Sequence, residues 1–199
     1  MSGAGTGGLR YLEAAAEILA PLIAAAPATL VECSDAEIAA LEAMVAPHRL
    51  PAAYREFLRY GGKELAGVFG GVDFSYKMAR ILRASGNRDV LSMLRRSDRT
   101  AMLPATVFVL NEHLGSNFTW FDLGAGDDPP VYLWEEPESA AAGPHGLDTA
   151  IREHDTFSGF VLVQAQIKVE YLRRAGSYPH QPSYSWSRGM RTKGPPDTI

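Results

Sequence analysis

The sequence predicts an α+β fold in which N-terminal helices pack on a mainly antiparallel sheet, followed by a C-terminal helix and an extended tail. Apolar residues recur at helical spacing through the first half of the chain, and three β-rich runs follow between residues 106 and 136. A chain of 199 residues with 46% hydrophobic content can bury the core of one ordinary domain. We therefore expect a single globular domain.

The first two helices are predicted from apolar spacing and from a cap. Leucine and alanine recur near helical spacing from Gly8 to Ala26, where Pro21 bends or restarts the helix. Ser34 and Glu37 then have the spacing of a capping box, so a second helix should begin at this point. Its core stripe is predicted to be Ile38, Leu41, Met44 and Val45, and Pro47 should end it.

A third helix is predicted over residues 50–62, LPAAYREFLRYGG. Pro51 suits a first helical turn, and Gly61 would supply a left-handed stop. The apolar face consists of Leu50, Tyr54, Phe57 and Leu58. After a glycine-rich segment, a basic helical stretch should run over residues 76–97 with an interruption at 85–87.

The second half of the chain is predicted to contain the sheet. Residues 106–113, 117–123 and 130–136 are β-rich and are separated by turn residues, which indicates an antiparallel meander with one covered face. Residues 137–148 should form an irregular loop. Residues 156–174 fit both strand alternation and helical spacing, and we favour a helix because the run is long, Thr156 can cap it and basic residues end it.

The composition suggests three regions of different character. Residues 1–33 form an N-terminal helical extension, residues 34–175 the main domain, and residues 176–199 a flexible or extended tail rich in proline and serine. The N-terminal apolar stretch contains Glu13 and Glu17 and lacks the basic leader of a signal peptide. We therefore expect a cytoplasmic protein without a membrane span.

The sequence contains no pattern typical of an enzyme or a metal site. The lone Cys33 is expected to be a small buried hydrophobe, and the five histidines are dispersed without ligand spacing. The glycines at 3, 5 and 8 fit a nucleotide-binding spacing, but no strand can precede them. We expect no catalytic residue, no cofactor and no metal.

Charge is distributed unevenly along the chain. Residues 49–99 carry 11 Lys or Arg against 5 Asp or Glu, whereas residues 112–155 carry 10 Asp or Glu against one Arg. An acidic segment repels nucleic acid and attracts basic partners. Solvated faces are the favoured interpretation of both segments, and of the acidic pairs at 127–128 and 135–136, for which the alternative is a divalent cation site.

The order of these motifs resembles the SUKH superfamily over roughly residues 34–172. Two motifs carry the resemblance: the leucine-proline, tyrosine, phenylalanine-leucine and double-glycine pattern, and an aromatic-Asp, turn, Val-Tyr hairpin. The first is matched by Leu50, Pro51, Tyr54, Phe57, Leu58, Gly61 and Gly62, and the second by Phe121, Asp122, Val131 and Tyr132. The basic stretch at 76–99 and the first helix lie outside the pattern.

The resemblance implies a non-enzymatic protein-binding domain, chiefly of the kind that gives bacteria immunity to a cognate polymorphic or contact-dependent toxin. Its partner would be a protein, a toxin domain such as a nuclease, rather than nucleic acid or a membrane. The partner-binding residues are predicted to be Asp127, Asp128, Trp134, Glu135 and Glu136, an aromatic anchor with acidic neighbours. Alternatives are a regulatory scaffold on the same fold, an uncharacterised enzyme, and nucleic-acid binding through the basic segments.

Overall fold

A computed structural model of the chain describes residues 8–25, 30–69, 74–97, 102–113, 115–136 and 147–175. Within them, the helices and the three-stranded meander follow the predicted order. The helices are α1 Glu13–Ala25, α2 Asp35–Ala43, α3 Ala52–Gly61, α4 Tyr76–Ala84, α5 Arg88–Ser97 and α6 Phe157–Arg174. The strands are β1 Leu30–Val31, β2 Glu64–Leu65, β3 Val107–His113, β4 Asn117–Asp122, β5 Val131–Glu135 and β6 Ile151–His154, with a short 3-10 helix at Leu147–Thr149.

The main sheet has the strand order β3-β4-β5-β6, and each neighbouring pair is antiparallel. A separate two-stranded sheet pairs β1 with β2. The α+β class and the antiparallel meander are thereby confirmed. Strand β6 was not predicted, because its four residues, IREH, are mostly polar and offer no alternating apolar pattern.

Both faces of the main sheet are covered, so the prediction of one covered face is wrong. Successive side chains of a strand point to opposite faces, and in β3 Phe108 belongs to one hydrophobic cluster while its neighbour Val109 belongs to the other. The first cluster includes residues of α1, α3 and α6, and the second includes residues of α4 and α5. The uninterrupted apolar run at residues 107–110 is typical of a strand buried on both faces.

An acidic side chain of α3 and apolar packing together hold the N-terminal segment against the core. The Glu56 carboxylate, on α3, accepts hydrogen bonds from the backbone N–H groups of Arg10, Tyr11 and Leu12 at 2.8–3.0 Å. Leu12 and Leu19 lie in the same apolar cluster as α3 and α6. The division at residue 33 stays a prediction, although α1 shares its core with the rest of the described chain.

Helix α3 has the predicted buried face but ends differently from the prediction. Its apolar side chains are at most 2% exposed, and Pro51 occupies the N-cap. Gly61 lies within the helix and Gly62, the C-cap, has φ −65°, so neither glycine supplies a left-handed stop. They are needed for close approach instead: a Cβ on Gly62 would lie 2.6 Å from the Leu58 Cα.

Local sequence signals placed the starts of α2 and α6 correctly, whereas α1 begins at Glu13, later than predicted, and α2 ends at Ala43, before Pro47. Both hydrogen bonds of the capping box join Ser34 and Glu37 at the start of α2, and Thr156 caps α6 by accepting from the Gly159 N–H at 3.0 Å. The basic stretch is divided into α4 and α5 by a turn in which Gly86 and Asn87 have positive φ. Residues 137–146 and 176–199, predicted as loop and tail, lie outside the described residues.

Candidate protein-interaction surfaces

The structure separates the predicted partner-binding residues into two groups. Asp127 and Asp128 precede β5, whereas Glu135 and Glu136 lie at its far end. At about 3.3 Å per residue, a five-residue strand is roughly 16 Å long. The acidic pairs therefore do not form one patch.

The Asp127–Asp128 turn connects the hairpin to two helix N-termini. The Asp127 carbonyl accepts from the Ala53 N–H at 2.9 Å, in the first turn of α3. The Asp128 carboxylate accepts from the Ser158 N–H at 2.9 Å and from its hydroxyl at 2.6 Å, in the first turn of α6. A carboxylate in that position satisfies a free N–H and is favoured by the helix dipole. Asp128 thus has a structural role.

Glu136 is also engaged within the molecule. Arg96 Nε and Nη2 donate to its two carboxylate oxygens at 2.9 and 3.1 Å, and Nη2 also donates to the Gly115 carbonyl at 2.6 Å. The Arg96 hydrogen bond is the main reason why the pKa of Glu136 is lowered. Glu135, by contrast, is exposed and forms no ion pair with a described residue, so its charge remains available.

Trp134 does not reach the surface, so it cannot act as an exposed anchor in this structure. Its side chain is 0% exposed and stacks on Phe118 with ring centroids 5.3 Å apart, within the cluster under α4 and α5. Trp120 and Tyr132 stack on the same face at 4.6 Å. Strand alternation predicts that these aromatic residues lie on the same face of the sheet. The sequence does not predict which helices cover that face.

Sequence reasoning missed a surface that β6 brings beside Glu135. Ile151 is 55% exposed on β6, with Glu153 two residues further and the exposed Asp155 just after the strand. Burial first, and the nearby Glu135 second, raise the pKa of Glu153. Asp155 pairs with Arg152 at 3.2 Å, but both side chains are more than half exposed. Strand β6 ends at His154, which pairs with Val131 at the start of β5, so Asp155 lies at the opposite end of the strand pair from Glu135. We call Glu135, Ile151 and Glu153 the acidic edge.

The remaining predicted motif residues build the fold. Tyr54 contacts four phenylalanine rings with centroid distances of 5.2–5.8 Å, from α3, β3, β4 and α6. Asp122 accepts from the Gly124 N–H at 2.6 Å and from the Thr106 hydroxyl at 3.2 Å, which fixes the start of the β4–β5 turn. Val131 is fully buried against this core. The motif therefore specifies packing and turn geometry.

The described residues show neither a metal centre nor a membrane span. No group of three or more His, Cys, Asp or Glu among them could hold a metal ion. None of the helices in the described ranges combines the length and the apolar composition needed to cross a bilayer. Cys33 is buried, as predicted, and desolvation, with a smaller contribution from Glu37, raises its pKa to about 11.

Two helical layers on an antiparallel sheet, with a charged edge and a buried aromatic motif, define an α+β domain. The chain matches the family model described as SMI1 / KNR4 family (SUKH-1) over residues 32–162, and it belongs to that family. The match extends from the residues before α2 into the first third of α6. No curated protein and no solved structure showed a significant match to the chain. Family membership supports a protein-binding role, in toxin immunity or in regulation, and family members are generally non-catalytic.

Proposed function

We propose that this protein is a cytoplasmic immunity protein that neutralises a cognate bacterial toxin by direct binding. The observation that carries the proposal is the family match, because that family includes toxin-immunity proteins. The acidic edge supplies a mechanism for recognition. No step of chemistry is required of the protein, since occlusion of a toxin surface is sufficient.

The acidic edge suits a basic toxin domain such as a nuclease. Glu135 presents an exposed carboxylate close to the partly buried Glu153, and Ile151, opposite Leu133 in the strand pair, is exposed beside them. An enzyme that binds phosphates has a positive surface, and opposed surface charges accelerate association. An exposed apolar side chain with acidic neighbours can then bury against the partner as an anchor. The same carboxylates would occupy positions that nucleic acid phosphates take in the toxin.

The test is to purify the tagged protein from its native cells, identify the partner and measure association by stopped flow. Glu135→Lys should slow association at least threefold at low salt, with a smaller effect at high salt, because screening weakens long-range attraction. Glu17→Lys, an exposed position on α1, is the matched control. Equal association rates for all variants would remove the acidic edge from the mechanism.

A regulatory scaffold is the second candidate, because the family match supports regulation as well as immunity. The identity of the co-purified partner separates the two functions. A partner carrying a toxin domain whose activity falls on binding supports immunity. An endogenous protein with no toxin domain supports the scaffold and overturns the immunity proposal.

A further inference from the structure

A basic cleft lies between the α2–α3 connection, the α4–α5 turn and the segment that leads into β3. Its volume is about 410 Å³, within the range of roughly 300–1,000 Å³ that ligand sites occupy. The side chains that matter for its chemistry are Met44, Arg83, Leu91, Arg95 and Met102. None of these residues belongs to the acidic edge, so the cleft is independent of the proposed function.

Arg83 is a half-buried cation without a carboxylate partner among the described residues. Its Nη1 donates to the Val107 carbonyl at 3.2 Å, and its guanidinium lies 5.7 Å from the centroid of the Phe108 ring. These contacts hold the group in place but do not neutralise it. Burial lowers the pKa of Arg83, which reflects the cost of removing a cation from water. An anion entering the cleft would offset that cost.

Arg95 supplies a second guanidinium to the same cleft. It is exposed on α5, and the structure shows no ion pair between it and a described residue, whereas the adjacent Arg96 is bound to Glu136. These two neighbouring residues of α5 therefore differ: the Arg96 guanidinium is paired with Glu136, and the Arg95 guanidinium is available to a ligand. Two guanidiniums lining one cleft favour a carboxylate or phosphate, which Arg binds through paired N–H groups.

The rest of the lining indicates which anion fits. Leu91, Met44 and Met102 are apolar, and Met102 is 78% exposed. Methionine adapts its shape to a partner, and both Met and Arg are enriched at protein interfaces. A free phosphate would leave these apolar walls in water. A peptide that carries a carboxylate between apolar side chains would cover them.

We propose that this cleft binds an acidic peptide segment of a partner protein, with its carboxylate at Arg83 and Arg95 and its apolar neighbours against Met44, Leu91 and Met102. Asn87 forms part of the lining, and its buried Oδ1 has no hydrogen-bond donor among the described residues. A peptide N–H that reached this oxygen would satisfy it. Peptides supply that donor together with the carboxylate.

The experiment is an NMR titration of the ¹⁵N-labelled full chain with acetyl-Leu-Glu-Leu-amide. The matched probe replaces glutamate by glutamine, and inorganic phosphate is the third ligand. We expect saturable shifts at the Arg83 and Arg95 Nε–Hε resonances with the glutamate peptide, and at least tenfold weaker binding of the glutamine peptide. Added salt should weaken the glutamate peptide more than the glutamine peptide.

Variants on α5 separate the cleft from general surface charge. Arg95→Gln should weaken the glutamate peptide at least fivefold, whereas Arg88→Gln, an exposed arginine of the same helix outside the cleft, should leave its affinity unchanged. Arg83→Gln provides a second test if Arg95→Gln does not fold. Absence of saturation, equal binding of both peptides, or equal loss in Arg88→Gln would overturn the proposal. Phosphate binding as tightly as the peptide would reassign the cleft as a simple anion site.

Discussion

Replacing Tyr54 by phenylalanine should stabilise the protein. The Tyr54 ring is 0% exposed at the centre of the aromatic cluster, yet its hydroxyl has no hydrogen-bond partner among the described residues. A buried polar group without a partner costs about 1–3 kcal/mol. Phenylalanine keeps the ring contacts and removes that cost. We therefore expect the free energy of unfolding to rise by about 1 kcal/mol, within the lower part of that range.

Urea denaturation at pH 7 measures this change directly. The midpoint should rise while the slope stays constant, because the surface exposed on unfolding hardly changes. The midpoint of thermal unfolding should increase by roughly 2–4 °C, as expected for 1 kcal/mol in a domain of this size. Tyr54→Ala is the contrasting variant: it deletes the ring and should lower the free energy of unfolding by about 3–5 kcal/mol.

Alkaline pH provides an independent test of the same hydroxyl. Burial is the main reason why the pKa of Tyr54 is raised, so the folded protein holds this proton more tightly than the unfolded chain does. The contribution of this pKa difference to the free energy of unfolding is complete below the unfolded pKa of about 10 and is lost as pH rises above it. Wild type should therefore lose stability above pH 10 faster than Tyr54→Phe, by up to about 1.4 kcal/mol per pH unit. A Tyr54→Phe variant less stable than wild type by 1 kcal/mol or more would refute the reasoning, because the hydroxyl would then have a partner.

Two further predictions concern a cap and a glycine. The Glu37 carboxylate accepts hydrogen bonds from Lys63 and from Ser34, and the Lys63 hydrogen bond is the main reason why its pKa is lowered to about 2. The stability that these contacts give the folded protein should therefore be present above the unfolded pKa of about 4.3 and be lost as pH falls toward 2. Urea midpoints between pH 6 and 2 should fall less steeply in Glu37→Gln than in wild type, and Glu17→Gln should retain the wild-type slope. Gly62→Ala should lower the free energy of unfolding by about 2 kcal/mol, because its Cβ would meet backbone. Gly61→Ala should lower the free energy of unfolding by less, since the nearest atom to a Cβ at this position, at 2.8 Å, is the end of a leucine side chain. Equal decreases in the thermal unfolding midpoints of the two variants would contradict this distinction.

The features that local chemistry specifies were predictable from the sequence. Ser34 and Glu37 set the start of α2 through adjacent hydrogen bonds, and Thr156 does the same for α6, which settled the ambiguous run as a helix. The turn between α4 and α5 required residues that tolerate positive φ, and Gly86 and Asn87 are such residues. These signals act within four residues of the chain. They do not depend on what packs against them.

The surface could not be predicted in the same way. Trp134 and Glu135 are adjacent in sequence, but one is fully buried under α5 and the other is exposed. Asp128 and Glu136 appeared to be free acids, and their partners Ser158 and Arg96 are 30 and 40 residues away. Such pairings follow from the tertiary fold. The acidic edge was missed for the same reason, since it depends on the unpredicted strand β6 lying beside Glu135.

The Glu56 carboxylate fixes the segment that leads into α1 to helix α3. Its three N–H bonds hold residues 10–12 in place and so position Leu12 and Leu19 over the apolar surface they bury. Local opening at this point would uncover hydrophobic surface next to α6 without disturbing the main sheet. Recombinant forms that begin after residue 25 would carry that surface permanently exposed, and self-association would follow from it.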